Sequence, residues 1–218
     1  MSHDFALRIC ELAIFLTAII GSVALGLGIT AYFRDHHYVA AYLLAYGGFR
    51  LSELLVREDD PETVRRDSLG ARIMNQVPIL VLFAAAPFER TYIYGGEAPA
   101  WAGALGLLLE LAGLWLALGA RIQLHFFSAD RSGREQRVLV RRALYRYIRH
   151  PIYAGEFLVL FAWPLVYGAP IVALLTLVIG VIVARRSVRA EELILLVRYG
   201  EDYEAYRRET DAMIPSVW

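Results

Sequence analysis

The sequence predicts an all-α integral membrane protein, with about five to six membrane segments, the last two forming a helical hairpin, and a cytoplasmic C-terminal helix. Of the 218 residues, 58% are hydrophobic, and the mean hydropathy of +0.46 lies outside the usual soluble range. Residues 12–33 form a run of 22 without a charge. Such a run is long enough to cross a hydrocarbon core about 30 Å thick.

Four further apolar segments follow, over residues 38–56, 73–88, 99–120 and 152–184. The last has 33 residues, about 50 Å as a single helix, which is too long for one crossing. Trp163-Pro164 and the stretch from Gly168 to Pro170 lie near its middle, and proline interrupts a helix because it lacks a backbone donor. We therefore predict a hairpin with its tip near Tyr167.

The arginines test this topology. With the hairpin, one side of the membrane receives the N-terminus, the 57–72 and 128–150 loops and the C-terminal tail, which together hold 18 of the 22 arginines. Arginine-rich loops normally face the cytoplasm. We therefore expect both chain ends in the cytoplasm. The chain has arginine but no lysine, which suggests a GC-rich genome, so we expect the protein in a bacterial inner membrane.

Charge and cysteine content exclude several classes of function. The net charge is zero, and no nucleic-acid partner is expected. The single cysteine, Cys10, cannot form an intramolecular disulfide, and no paired Cys/His spacing indicates a metal site. No glycine-rich turn of the dinucleotide-binding type occurs.

The sequence predicts one membrane domain over 1–218, with N-terminal spans in 1–127 and polar clusters in 128–218. One cluster, "RVLVRRALYRYIRHPIYAG", precedes the hairpin, and the other, "RRSVRAEELILLVRYGEDYEAYRR", follows it. The hairpin should therefore bring the two clusters together. Helical spacing in the second predicts a single stripe of Glu192, Leu196, Tyr199, Tyr203 and Tyr206.

The two clusters together resemble the isoprenylcysteine carboxyl methyltransferase family, part of a larger group that includes phospholipid methyltransferases. The resemblance rests on L-V-x-x-x-x-Y-x-x-x-R-H-P-x-Y-x-G over Leu139–Gly155, followed by the pair Glu191-Glu192 and Y-G-x-x-Y-x-x-Y over Tyr199–Tyr206. It covers roughly residues 110–218. The chain departs from the family at two positions: Ala143 stands where glycine is frequent, and Ser187 stands where arginine is frequent.

The resemblance implies S-adenosylmethionine as the methyl donor, bound on the cytoplasmic side. Carboxylates would bind the donor's ribose hydroxyls or its ammonium group, and Arg149 with His150 would bind its carboxylate or the edge of its adenine. Tyrosines would stack on the adenine or face the sulfonium. The residues assigned to the donor are Leu139, Val140, Tyr145, Tyr147, Arg149, His150, Pro151, Tyr153, Gly155, Glu191 and Glu192.

Methyl transfer is one in-line displacement, so positioning and desolvation of the reactants should supply most of the rate. Arg189 and Glu192 are the predicted catalytic residues. Arg189 would aim an acceptor carboxylate, whereas an acceptor that carries a proton would need a base, Glu192 or His150. The resemblance implies a lipid-like or isoprenylated acceptor, with carboxyl O-methylation as the leading case.

Other interpretations stay open at this point. One alternative is an N- or S-methyltransferase that acts on phospholipids or on small hydrophobic molecules. The others are an NADPH-dependent enzyme similar to sterol reductases and a non-catalytic scaffold. Arginines and tyrosines at a membrane boundary also serve lipid contact alone. Intramembrane polar groups are functional candidates, here Glu110, Asn75-Gln76, and Arg50 with Glu53, which we expect to pair with each other.

Overall fold

The computed structural model describes residues 37–55, 79, 81–95, 97–128 and 138–214, with no side chains described in 51–55. The predicted span over 12–33, the 57–72 loop, Asn75-Gln76 and the Glu53 side chain therefore lie outside the described residues. The helices are α1 (His37–Leu55), α2 (Ala100–Ser128), α3 (Pro151–Val166), α4 (Pro170–Tyr199) and α5 (Glu201–Glu209).

Residues 81–88 are also helical and continue into a π-helical turn, Glu89–Tyr94. A 3₁₀ turn covers Ala143–Arg146. Within the described ranges the only extended pairing is a single bridge between Ile148 and Asp211. The predicted all-α class is confirmed.

The hairpin prediction is confirmed, and its break is now located. α3 ends at Val166 and α4 begins at Pro170, so the turn includes the predicted tip, Tyr167. Gly168 has a φ of +60°, a conformation that glycine adopts without strain. Pro164 lies inside α3, so the break follows from Gly168 and Pro170, and not from Pro164 as we also expected.

Antiparallel pairing of α3 and α4 follows from contacts on both sides of the turn. A Cβ built on Gly180 would lie 2.6 Å from the Phe157 ring, and Ala154 and Ala184 share one buried cluster with Val188. Both pairs of positions are nearly equidistant from the turn, as they must be in a hairpin.

The chain divides into two compact units, each with parts of α2, α3 and α4. The first comprises residues up to Glu110 and Leu160–Val178. Its core is aromatic: the Trp163 ring stacks on Phe83 at 4.7 Å and lies 4.9 Å from Tyr42. The Trp163 Nε1 donates to the Phe83 carbonyl at 2.9 Å, which satisfies its polar group.

Glu89 fixes the start of α4 within this first unit. Its two carboxylate oxygens accept the backbone N–H groups of Ile171 at 2.8 Å and Val172 at 2.7 Å. The first N–H groups of a helix have no partners within the helix, and the helix dipole favours a negative charge there. Glu89 thus caps the second leg of the hairpin.

The second unit comprises Leu111–Val159 and residues from Ile179 onward. Here α2 and α3 approach closely through glycines: a Cβ on Gly155 would lie 2.5 Å from the Gly113 carbonyl and 2.8 Å from the Ala117 Cβ. α5 follows α4 after Gly200, whose φ is +54°. This kink separates Tyr203 and Tyr206 from the helix of Glu192, so the predicted single stripe from Glu192 to Tyr206 is wrong.

Membrane crossing is supported by length, composition and exposure. Of the described helices, α2 over Ala100–Phe127 and α4 over Pro170–Tyr199 are long and apolar enough to cross a bilayer, and α3 is a shorter apolar helix. Trp101, Leu108 and Trp115 on α2 are 69%, 64% and 69% exposed. Such apolar exposure suits lipid better than water. The count of five to six segments stays a prediction.

Candidate functional site

The site begins with a loop in the second unit, between residue 138 and the start of α3. Arg142 is extended, and the short 3₁₀ turn that follows begins with Ala143 at a φ of +53°. This left-handed conformation is costly for a residue with a Cβ. The 3₁₀ turn then carries Tyr145, and Pro151 starts α3 in the helix position that suits proline best.

Residues 148–150 pair with the chain's C-terminal segment, which the sequence patterns did not indicate. The Arg149 N–H donates to the Asp211 carbonyl and the His150 N–H to the Ala212 carbonyl, each at 2.9 Å. These bonds add to the bridge between Ile148 and Asp211. The backbone that carries Arg149 and His150 is therefore fixed by residues about 60 positions away.

Arg149 and Glu192 form the central ion pair of the site. The Arg149 Nε and Nη2 donate to the same Glu192 oxygen, Oε1, at 3.0 Å and 2.9 Å. The two side chains are only 9% and 13% exposed. The Arg149 Nη1 donates to the carbonyls of Arg207 and Thr210, so one guanidinium joins α4 to the segment after α5.

His150 lies between the two predicted glutamates. Its Nδ1 is 3.6 Å from the Glu191 Oε2 and its Nε2 is 3.5 Å from the Glu192 Oε1, with a side chain 3% exposed. The buried Nε2 makes no hydrogen bond to any described residue. Burial alone would lower the pKa of His150, but the nearby carboxylates of Glu191 and Glu192 outweigh it, so the pKa lies above its usual 6.5.

Tyrosines close the site on the α5 side. The Tyr206 hydroxyl donates to the Tyr145 carbonyl, and the Thr210 hydroxyl donates to the Tyr206 carbonyl at 2.6 Å. Tyr203 is fully buried. Burial raises the pKa of Tyr203 and brings that of Tyr206 to about 12, so both phenols stay neutral. Despite the kink at Gly200, both tyrosines remain beside the charged cluster.

The structure therefore brings together four of the predicted donor residues, Arg149, His150, Glu191 and Glu192. Tyr153 is half-buried, with its ring 5.9 Å from the His150 ring. Tyr147 is 68% exposed, and Arg189 on α4 is also exposed.

Other predicted donor residues have structural contacts. Val140 and Tyr145 pack with Ala120 in a buried cluster, and the Tyr145 hydroxyl donates to the Ala120 carbonyl at 3.4 Å. At Gly155 the backbone of α2 lies so close that a side chain would not fit. Leu139 is half-buried and Pro151 is buried. In this structure the backbone and the packing of these residues shape the loop that presents Arg149 and His150.

The cluster suits a polar, charged ligand. It presents carboxylate oxygens, an imidazole nitrogen without a hydrogen-bond partner and a fixed guanidinium, all at the end of apolar helices. Among the described residues no group of three or more His, Cys, Asp or Glu side chains is arranged to hold a metal ion.

Comparisons with known proteins agree with the motifs. Residues 101–202 match the family model described as phospholipid methyltransferase. A 75-residue stretch is 39% identical to the methanethiol S-methyltransferase of Crocosphaera subtropica, covering 34% of this chain and 28% of that protein. The aligned part thus spans little more than a quarter of the relative's length.

A solved structure shares the fold. The eukaryotic intramembrane Ras methyltransferase, an isoprenylcysteine carboxyl methyltransferase, aligns with 99% of this chain and 79% of its own chain, at a TM-score of 0.55 and 18% identity. At that identity the likeness concerns the fold, which extends over nearly the whole chain.

Proposed function

Because residues 101–202 match the family model described as phospholipid methyltransferase, we propose that the chain is an integral membrane methyltransferase that uses S-adenosylmethionine. The observation that carries this proposal is the buried cluster of Arg149, His150, Glu191 and Glu192. Three of these four polar side chains, those of Arg149, His150 and Glu192, are at most 13% exposed, at the end of apolar helices. Such groups are kept where a polar ligand needs them.

The residues present fit the donor. His150 offers a buried nitrogen without a hydrogen-bond partner in the described chain, and Glu191 is 43% exposed, so it can reach a ligand from the aqueous side. Arg149, His150, Glu191 and Glu192 would hold the donor's polar groups, and Tyr153 would pack on it. When bound, S-adenosylmethionine supplies an electrophilic methyl group.

The chain's own contribution is positioning. Arg149 donates hydrogen bonds to Glu192 and to two C-terminal carbonyls. These bonds hold the loop that carries Arg149 in a fixed position against α4. Holding two reactants in line and excluding water accounts for most of the acceleration in a direct displacement. Arg189 is exposed on α4, where it would aim an acceptor carboxylate.

A hydrophobic acceptor is expected because the cluster lies at the end of apolar helices. An isoprenylated or lipid-like carboxylate would need no base, because it is already ionised at neutral pH. A lipid tail would enter between the helices, and we place the site at the cytoplasmic face of a bacterial inner membrane.

A thiol acceptor is the second candidate, because the relative from Crocosphaera subtropica is a methanethiol S-methyltransferase. A thiol is mostly protonated at neutral pH. Its proton would then pass to Glu192 or His150, which lie in the same cluster. A phosphatidyl amine acceptor would require the same proton transfer.

Donor binding tests the proposal directly. In the detergent-purified full chain, His150→Ala and Glu192→Gln should each weaken S-adenosylhomocysteine binding by about 10- to 150-fold, the effect of losing a hydrogen bond to a charged group. Glu204→Gln, at an exposed glutamate of α5, is the matched control and should leave the affinity unchanged. Titration calorimetry measures all three, with circular dichroism as the check of folding.

Unchanged donor affinity in both site variants, or binding of NADPH without S-adenosylhomocysteine, would refute the proposal. Incubation with radiolabelled S-adenosylmethionine, a total lipid extract and short thiols then identifies the acceptor class from the labelled product.

A further inference from the structure

Glu110 on α2 is a buried carboxylate that the proposed function does not use. Its residue exposure is 0%, and neither carboxylate oxygen makes a hydrogen bond to any described residue. A buried carboxylate without partners is strongly disfavoured, and charged groups inside membrane segments usually serve a ligand or a partner. An ionised Glu110 therefore requires a partner that the described residues do not provide, whereas an empty site would keep the carboxyl group protonated.

Aromatic rings lie on the side of α2 that carries Glu110. Tyr42 of α1 is fully buried and belongs to the same compact unit as Glu110. The Tyr42 ring lies 4.9 Å from the Trp163 ring, which stacks on Phe83. Because the Trp163 Nε1 already donates to the Phe83 carbonyl, Trp163 adds an aromatic surface and no further donor.

The face of α2 that carries Glu110 points into the first unit. Gly103 and Gly106 precede Glu110 by seven and four residues, which places all three on one helix face. A Cβ on Gly103 would lie 2.5 Å from the Tyr38 ring, and one on Gly106 would lie 2.6 Å from Val166. Glu110 thus continues a face that packs against α1 and α3.

One carboxylate beside stacked aromatic rings matches the chemistry of an organic ammonium group. A carboxylate accepts hydrogen bonds from an ammonium, and aromatic faces attract the same positive charge. Inorganic divalent cations instead need six or more oxygen ligands, and no acidic cluster of that kind exists among the described residues. We propose that Glu110, with Tyr42 and Trp163, binds the protonated amino group of an amphipathic ligand.

The inference extends the proposed function at one point only. If the chain transfers methyl groups, an acceptor that carries an amine gains a binding group, Glu110, that a carboxylate or a thiol acceptor would not use. The binding itself does not depend on methyl transfer, so the test contains no methyl donor. Its failure and the failure of the proposed function are therefore distinguishable.

Octylamine is a suitable probe, because an alkylamine is protonated at neutral pH, and octanol is the neutral probe of equal chain length. In the purified full chain, titration calorimetry should show saturable binding of octylamine and none of octanol at the same concentration. Glu110→Gln should weaken octylamine binding by roughly 10- to 150-fold. Glu97→Gln, at an exposed glutamate of the same unit, should bind as the wild type does.

A second measurement uses only the wild-type chain, so it does not depend on the folding of a variant. A hydrophobic carbodiimide should modify Glu110, as read by mass spectrometry. N,N-dimethyloctylamine, a tertiary amine that cannot form an amide with the activated carboxyl group, should suppress the modification, while octanol should not. Equal protection by octanol or by sodium chloride would overturn the amine assignment. So would equal octylamine affinity in wild type and Glu110→Gln, or a Glu110 that reacts to the same extent with and without N,N-dimethyloctylamine.

Discussion

Ala143 shows how a single residue sets the loop of the site. Its φ of +53° belongs to a region that glycine occupies freely and alanine does not. The loop keeps this conformation because the two residues after Ala143 are fixed. The Leu144 N–H donates to the Gln123 Oε1 at 2.9 Å, and the Tyr206 hydroxyl donates to the Tyr145 carbonyl. The surroundings therefore impose a backbone that residue 143 disfavours.

Ala143→Gly should stabilise the protein by about 1 kcal/mol, since it removes the steric conflict of a left-handed alanine. Ala190→Gly, on the exposed side of α4, should destabilise it by about 1 kcal/mol through lost helix propensity. Thermal unfolding in detergent measures both. If the two variants shift the melting temperature in the same direction, the strain assigned to Ala143 is wrong.

His150 should make stability depend on pH. Its pKa in the folded chain lies above 6.5 because of Glu191 and Glu192, despite burial. A raised pKa adds stability that is fully present below the pKa of the unfolded chain and is lost as pH rises through the folded pKa. As the pH rises above the ordinary histidine pKa of about 6.5 and through the raised pKa of His150, the melting temperature should therefore fall.

His150→Gln should flatten this decline, whereas His125→Gln, at an exposed histidine of α2, should keep it. Melting curves at several pH values measure the slope for each variant. A decline that survives in His150→Gln would assign the pH dependence to another group.

At the scale of elements, helix contacts depend on residues without large side chains. α2 meets α3 where Gly113 and Gly155 allow the backbones to touch, a pattern that favours helix association in membranes. Gly200 ends α4 and permits α5 to turn back toward the charged cluster. Small residues thus decide where the larger functional ones can meet.

Gly155→Ala should destabilise the protein by about 1–3 kcal/mol, because its Cβ would lie 2.5 Å from the Gly113 carbonyl and backbone cannot move aside cheaply. Gly119→Ala is the matched control on the same helix pair. Its Cβ would meet only Leu144, at 3.5 Å, so the gain in helix propensity of about 1 kcal/mol should dominate. Comparison of thermal unfolding in the two variants tests the contact, and a stabilising Gly155→Ala would contradict it.

At the scale of the whole molecule, the turn at Gly168 returns the chain to the side from which α3 departs. The tail then shares a side with the 138–150 loop, as the pairing of Arg149 with Thr210 requires. If the undescribed spans cross as the sequence predicts, the same arrangement would collect 18 of 22 arginines on one side, and arginine-rich sides normally face the cytoplasm.

Both chain ends should therefore lie in the cytoplasm. Reporter fusions at residue 1 and residue 218 of the intact chain measure this, with an alkaline phosphatase fusion inactive and a fluorescent protein fusion active at each end. Opposite results at the two ends would refute an even number of crossings.

The sequence alone determined the membrane class, the hairpin and the residues of the candidate site, because these depend on local properties. Hydrophobic length, the Gly-Ala-Pro turn and the RHP and EE motifs are each read from neighbouring residues. These patterns also placed His150 and Glu192 near one another before any contact was known.

Tertiary structure decided how those residues are held. The Arg149 guanidinium bonds to Thr210, 61 residues away, and the left-handed Ala143 is stabilised by Gln123 and Tyr206, which no local pattern connects to it. The kink at Gly200 replaced the predicted stripe, because helical periodicity assumes a continuous helix and one positive φ ends it. Long-range hydrogen bonds form only after the chain packs, so their partners follow from the fold and not from spacing along the chain.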